Sequence, residues 1–212
     1  MYTTIKKLYS NAIIFSIIQM TFVLVCVTLL SSIHSTFAQV TTEVKTNMSN
    51  YQDPLYGIQM QYPADWTPST SAIPAYNGVI GFYSPLKNLS DILPAEVTLS
   101  ITTYAQPIPL VEYTQATLSA LEQQGIKVEQ SGSKTIAGKP GYSITFSPTS
   151  PNKGPYTEAP PQQTSPTFKV IQSWTAIDNK IYLLSFTAES SKFTNYLSTA
   201  EKMMNSLKVT PQ

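Results

Sequence analysis

Apolar and polar side chains alternate along several short stretches of this chain, a pattern typical of β-strands with one buried face. In residues 56–62, Ile58 and Met60 share one face while glutamines occupy the other. Residues 78–85 form a second predicted strand, and residues 95–105 show the clearest alternation of all. The pattern therefore predicts three strands before the first amphipathic helix.

The hydrophobic period changes to that of a helix in two places. Residues 109–124 carry apolar side chains at helical spacing on one face, and Gly125 follows as a residue that commonly ends a helix. Residues 190–207 show the same spacing near the C-terminus, where Ser190 and Ser191 are expected to cap the helix.

Two strand pairs are predicted between these helices. One surrounds a tight turn at residues 137–141 (AGKPG), and the other is joined by Asp178 and Asn179, which tolerate positive φ. The last strand of the second pair is apolar on both sides and should be central. Between the pairs, residues 147–167 contain six prolines, which predicts a loop insertion.

The element order is strands, helix, strands, helix, with short turns between neighbouring strands. Short turns join antiparallel strands, and amphipathic helices cover the faces of the sheet that those strands form. The predicted fold class is therefore α+β, with a central, mainly antiparallel sheet in a single domain.

The N-terminus has the features of a targeting segment. Two lysines precede an apolar stretch at residues 12–30, and a small-x-small site follows at residues 36–38. Residues 1–38 are therefore predicted to be a signal peptide or an N-terminal membrane anchor, with the remainder exported. Residues 39–50 are predicted to be a flexible tether, and residues 51–210 the folded domain.

Composition excludes several kinds of site from the predicted domain. The single cysteine, Cys26, and the single histidine, His34, both precede residue 39, and the chain has no arginine. This excludes Ser-His-Asp and Cys-His catalysis, zinc sites built on thiolate or imidazole, and disulfides. The net charge of +1 also provides no basic surface, so no nucleic-acid partner is expected.

Asp53 and Asp65 form the one candidate pair of catalytic carboxylates near the start of the domain. Paired carboxylates hydrolyse glycosides when they lie ~5–10 Å apart. A strand of about nine extended residues would separate Asp53 and Asp65 by ~30 Å. Both acids lie beside prolines, and we interpret them as turn residues. No catalytic and no cofactor-binding residue is predicted.

Four further acids could contribute oxygen ligands to a weak calcium site: Asp91, Glu96, Glu158 and Asp178. Their spacing does not match an EF-hand loop, and Asp178 has an alternative interpretation as a turn residue. The metal content is therefore left open, with weak calcium binding as an alternative to none.

Surface functions have a few candidate residues. Lys153 and Tyr156 lie near the tip of the proline-rich insertion and are candidates for partner contact, because exposed tyrosines are enriched at interfaces. Asn47 and Asn88 each begin an N-x-[ST] triplet and are candidate glycosylation sites in an exported protein.

Several segments together resemble the PsbP family, the extrinsic lumenal proteins of photosystem II and their prokaryotic relatives. These segments are YGI (56–58), YPADW (62–66), FYSP (82–85), TIAGKPGY (135–142), WTA (174–176), KIY (180–182) and MNSL (204–207). The resemblance spans roughly residues 51–208. It implies an α-β-α sandwich, a fold shared with a nuclear import factor that binds the Ran GTPase.

The resemblance also implies a function. PsbP-like proteins are generally non-catalytic and dock on membrane complexes, and the photosystem subunits help to retain calcium and chloride. Docking of those subunits depends on basic N-terminal residues and histidines, whereas this chain has only Lys45 in its tether and no histidine beyond it.

The expected function is therefore that of an exported, non-catalytic domain that docks on or supports a membrane or envelope complex. The alternatives are an extracytoplasmic module that binds a small ligand or calcium, and an extrinsic subunit of the photosystem II type.

Overall fold

The computed structural model of the protein describes residues 47–70, 80–87, 93–148 and 167–210. The elements within them are β1 Met48–Asp53, β2 Ile58–Pro63, β3 Thr67–Ser69, β4 Ile80–Tyr83, β5 Glu96–Thr103, α1 Leu110–Gln123, β6 Val128–Ile136, β7 Lys139–Phe146, β8 Phe168–Ile177, β9 Lys180–Glu189, α2 Phe193–Asn205 and β10 Lys208–Val209. The predicted α+β class is confirmed. The predicted targeting segment, residues 1–38, and nearly all of the predicted insertion lie outside the described residues.

The strands form two sheets rather than the single sheet expected. Seven strands follow the order β3-β4-β5-β9-β8-β7-β6, and three strands follow the order β1-β2-β10. All neighbours in both sheets are antiparallel. The predicted strand at residues 56–62 therefore exists as β2 but belongs to the smaller sheet.

The prediction of a flexible tether over residues 39–50 is wrong at its C-terminal end. Residues 48–50 form the first half of β1, which pairs with β2 in a register that sets Met48 against Pro63 and Asp53 against Ile58. The strand is polar and alternates between exposed and half-buried positions. Because neither face of β1 is strongly hydrophobic, its sequence pattern could not be distinguished from that of a linker.

The central strand of the large sheet is β9, as its two-sided apolar pattern predicts. Leu184 and Phe186 face one core cluster with the side chains of α2 and β2. Ile181 and Leu183 face the other cluster with the side chains of α1. The sheet is therefore covered on both faces, and the α-β-α layering that the resemblance implied is present.

On the first face, α2 packs through aromatic and polar contacts. The ring centroids of Phe193 and Phe186 lie 5.0 Å apart. The helix begins later than predicted, with Lys192 at the N-cap position and no side-chain cap. Ser190 and Ser191 do not cap it, because residues 190–192 form a turn in which the Ser190 N–H donates to the carbonyl of Thr167.

On the second face, α1 is held by a buried tryptophan of β8. The indole Nε1–H of Trp174 donates to Thr114 Oγ1 on α1 at 3.0 Å, and the Tyr113 ring meets the indole edge-on at 6.0 Å. The helix ends as predicted, with Gly125 at φ 71° and the Ile126 N–H donating to the carbonyl of Leu121.

The turns of the two long hairpins use positive φ. Asp178 has φ 54°, in agreement with its predicted role. The other turn contains only Ala137 and Gly138, at φ 50° and 74°, so the predicted turn at 137–141 is too long. Pro140 is accommodated near the start of β7, because its backbone faces away from β6 and the pairing with β8 begins only at Gly141.

Glu96 is the first residue of β5, at one end of the β5–β9 ladder of the large sheet. Its neighbours in the register are Tyr83 on β4 and Thr187 on β9. Burial desolvates the carboxylate and raises the pKa of Glu96 to about 7. The folded protein therefore holds this proton more tightly than the unfolded chain does.

Replacing Glu96 by Gln is expected to stabilise the protein selectively at alkaline pH. Because the folded pKa lies above the unfolded value, wild-type stability is fully present below pH 4.5 and is lost as pH rises through about 7. In urea unfolding, the free energy of unfolding of Glu96→Gln relative to that of wild type should increase by about 2 kcal/mol between pH 5 and pH 8. The control Glu201→Gln, at an exposed position on α2, should differ little at either pH. If the free energies of unfolding of Glu96→Gln and wild type differ by the same amount at both pH values, the raised pKa of Glu96 is contradicted.

Replacing Thr114 by Val removes the acceptor of the Trp174 N–H while conserving shape. The buried indole N–H then loses its partner, at a cost of about 1–3 kcal/mol. The control is Thr117→Val on the same helix, where the hydroxyl donates to the Tyr113 carbonyl and no other element loses a hydrogen bond. Urea unfolding should therefore separate the two variants, and equal losses would show that the indole bond is not the cause.

Candidate functional site

A groove of about 670 Å³ lies between the first turns of α1 and the β6–β7 hairpin. The lining residues come from three elements and the turn that joins two of them. They are Leu110, Val111, Thr114, Gln115, Ser133, Lys134, Thr135, Gly138, Lys139, Pro140, Gly141 and Tyr142. None of these residues was among the predicted site residues.

The groove exists because α1 covers the middle strands of the sheet and leaves the outer strand uncovered. Thr114 fixes the helix over β8 through the Trp174 indole. Tyr142 on β7 also contacts Trp174, at 5.7 Å between ring centroids. On β6, Ser133 and Thr135 are exposed. The groove is therefore bounded by the helix on one side and by an uncovered strand on the other.

The groove is apolar in part, and positive charge lies at its border. Val111 is 60% exposed, although it lies on a helix whose Tyr113 and Leu121 are buried. Lys134 and Lys139 border the groove with side chains that the register directs to the other face of the sheet from Tyr142, and no acidic residue lines it. Neither lysine forms an ion pair with another described residue. The electrostatic potential here therefore favours an occupant that carries negative charge.

The predicted pair of acids is separated by the length of β2. Asp53 Oδ1 accepts the backbone N–H groups of Leu55 at 2.9 Å and Tyr56 at 3.3 Å, which closes the β1–β2 turn. Asp65 is exposed in the turn after Pro63, beyond the other end of β2. The structure therefore does not bring the two acids together, and Asp53 has the turn role assigned to it.

The predicted calcium ligands do not converge either. Glu96 pairs with Thr187 at one end of the β5–β9 ladder, whereas Asp178 lies in the turn at the opposite end. Asp91 and Glu158 lie outside the described residues. Across residues 47–70, 80–87, 93–148 and 167–210, no group of three or more potential metal-ligating side chains is present. Weak calcium binding remains a prediction.

The predicted surface sites fall mainly on parts of the chain outside the described residues. Lys153, Tyr156 and Asn88 belong to those parts, so their roles stay predictions. Asn47 is described and exposed, and its carbonyl accepts the Ala64 N–H at 2.7 Å. Glycosylation at Asn47 also remains a prediction, with an accessible side chain.

Val111 is the sequence signal that could have pointed to the groove. It is an apolar residue outside the buried face of an amphipathic helix, and an apolar residue in that position indicates a surface for binding.

Within the described part of the chain, no helix is long and apolar enough to cross a membrane.

The fold is shared with several solved structures at low sequence identity. Cyanobacterial PsbP (CyanoP) from Synechocystis sp. PCC 6803 is 13% identical, with a TM-score of 0.50 and coverage of 82% of this chain and 98% of that chain. LpqN, involved in cell envelope biogenesis of Mycobacterium tuberculosis, is 16% identical, with a TM-score of 0.51 and coverage of 79% and 92%. The Saccharomyces cerevisiae Ran-binding protein Mog1p is 8% identical, with a TM-score of 0.51 and coverage of 78% and 96%.

The family assignment comes from the sequence. A search among curated proteins finds no match. The family model described as PsbP matches residues 46–209, which includes both sheets and both helices. The chain therefore belongs to the PsbP family.

Proposed function

We propose that this protein is a non-catalytic, extracytoplasmic domain that docks on a protein complex of the membrane or cell envelope. The observation that carries the proposal is the groove between α1 and the β6–β7 hairpin. It has an exposed apolar residue, Val111, and the two lysines that border it, Lys134 and Lys139, form no ion pair with another described residue. An open, amphipathic surface of this kind suits contact with another macromolecule.

Three acids of the described residues have structural assignments that support binding over acid–base catalysis. Asp53 closes a turn. Glu129 pairs with Lys169 at 2.7 Å, and Glu189 pairs with Lys192 at 3.1 Å. These carboxylates stabilise local structure, and none of them lines the groove. The groove therefore offers apolar surface and nearby positive charge for binding, without a carboxylate for acid–base chemistry.

The relatives support an interaction role outside the cytoplasm. Mog1p is a Ran-binding protein, and LpqN is involved in cell envelope biogenesis. Residues 1–38 have the pattern of a signal peptide or anchor, which would deliver the domain to the envelope. We propose an envelope complex as the partner rather than a photosystem, because residues 39–212 lack histidine and the segment before the domain has only Lys45.

Replacing Val111 by Gln is expected to weaken recovery of the envelope partner. The full-length tagged protein would be cross-linked in the source organism and purified from the envelope fraction, followed by quantitative mass spectrometry. Loss of this apolar contact in the groove should reduce the enriched partner about tenfold, equivalent to ~1.4 kcal/mol. Glutamine is a good helix former, so the variant should remain folded.

Leu55→Gln is the matched control for Val111→Gln. Leu55 is 73% exposed, in the turn between β1 and β2, and it does not line the groove. It should recover the partner as well as wild type does. If wild type enriches no envelope protein above the untagged background, the proposed function is wrong.

A further inference from the structure

We propose that the partner supplies an extended segment of alternating apolar and acidic residues, which adds to the outer edge of β6 and fills the groove. This inference rests on the proposed function and specifies the chemistry of the partner. It is carried by three features of the described residues: the open edge of β6, the groove on one face beside it, and the two lysines on the other face.

The two outer strands of the large sheet differ in how they are protected. At one edge, β3 has three residues and contains Pro68. At the other edge, β6 has nine residues, no proline, and a regular register from Gln130 to Ile136. Natural sheets block long outer strands with prolines, charges or covering elements, because an open strand pairs with other chains. The β6 edge carries only one lysine along its regular part.

The geometry of the turn identifies which backbone groups of β6 point outward. A two-residue turn makes its flanking residues, Ile136 and Lys139, a hydrogen-bonded pair, and the pattern then alternates along the ladder. Ser133 and Thr135 therefore direct their N–H and C=O groups away from β7. The Pro140 carbonyl, opposite Thr135, accepts the Thr175 hydroxyl on the β8 side, which agrees with this alternation.

The outward-pointing residues of β6 also line the groove. Ser133 and Thr135 belong to its wall, opposite Val111 on α1. A strand added to β6 would send every second side chain toward the groove, since side chains alternate along a strand. Leu110, Val111 and Tyr142 provide apolar surface for those side chains. Strand addition and groove filling are therefore compatible in a single extended segment.

The charges select acidic residues in that segment. Lys134 and Lys139 lack ion-pair partners among the described residues, and the register places both on the face of the sheet that carries Ile136, opposite to the face of Tyr142 and the groove. When the apolar side chains of an alternating segment enter the groove, its carboxylates lie on this other face beside the lysines, where a basic strand would be repelled. Complementary charge of this kind contributes mainly to specificity and to the rate of association.

The first experiment uses synthetic peptides and the full-length protein. The probe is a fluorescein-labelled six-residue peptide that alternates valine with glutamate. The controls are the same peptide with lysine for glutamate and the same peptide with alternate backbone nitrogens methylated. Fluorescence anisotropy should give a Kd on the order of 0.1 mM for the probe and at least tenfold weaker binding for both controls. Equal binding of probe and N-methylated peptide would overturn edge pairing.

Hydrogen exchange locates the probe on the protein. Bound peptide should slow exchange of the Ser133 and Thr135 amides and leave exchange in β3 unchanged. No protection of β6 at about 1 mM probe would overturn the proposal. Protection of β6 that grows with protein concentration in the absence of peptide would assign the edge to a second copy of this chain, and would also overturn it.

Substitutions test the backbone and the charges separately. Ser133→Pro removes an outward N–H without removing a hydrogen bond to β7, and Ser133→Ala is its control. Lys134→Glu combined with Lys139→Glu reverses the charge beside the β6 edge, and Lys127→Glu changes an exposed lysine that does not border the groove. Ser133→Pro and the double variant should each weaken probe binding at least tenfold, with both controls near wild type. The N-methylated peptide provides the same test on wild-type protein if Ser133→Pro fails to fold.

The same variants separate this inference from the proposed function. If Val111→Gln loses the envelope partner while Ser133→Pro retains it, the protein docks through the groove and strand addition is wrong. If both variants lose the partner and their controls retain it, strand addition is supported. Failure of wild type to recover any partner counts against the docking function itself, independently of the peptide results.

Discussion

The structure depends on one constraint, which is that β9 is buried on both faces. Its side chains alternate between two core clusters, so neither face of the sheet centre can be left to solvent. A shift of one residue in its register with β5 or β8 would exchange Leu184 and Phe186 with Leu183 and Ser185. This double burial is the reason that one helix lies on each side of the large sheet.

The candidate site results from the position in which α1 is held on the second face of the large sheet. A single short helix, α1, covers the second face, and the indole of Trp174 holds it over β8 through Thr114. Seven strands are wider than one helix, so no helix among the described residues covers the outermost strand on that side, β6. The groove is the space between the fastened helix and this strand, and polar residues line its exposed wall.

The elements with strong patterns were predicted well, and the weak patterns were not. The double-sided apolar run of β9 and the helical spacing before Gly125 both correspond to the observed elements. β1 was missed in part because its alternation is polar. Ser190 and Ser191 were expected to cap α2, but the end of the β8–β9 hairpin uses them in a turn. The groove could not be predicted, because its two walls, α1 and the β6–β7 hairpin, meet only when the helix packs on the sheet.

The small sheet has a consequence for how the chain matures. Its outer strands, β1 and β10, are the first and last strands of the described chain, and both pair with β2. The Gln61 N–H, for example, donates to the hydroxyl of Ser206, 145 residues later. Contacts this distant in sequence form slowly, because a long loop must close before they are made. The β1–β2 hairpin is local in sequence, so the step that joins the two ends of the domain is the late addition of β10 to its free edge.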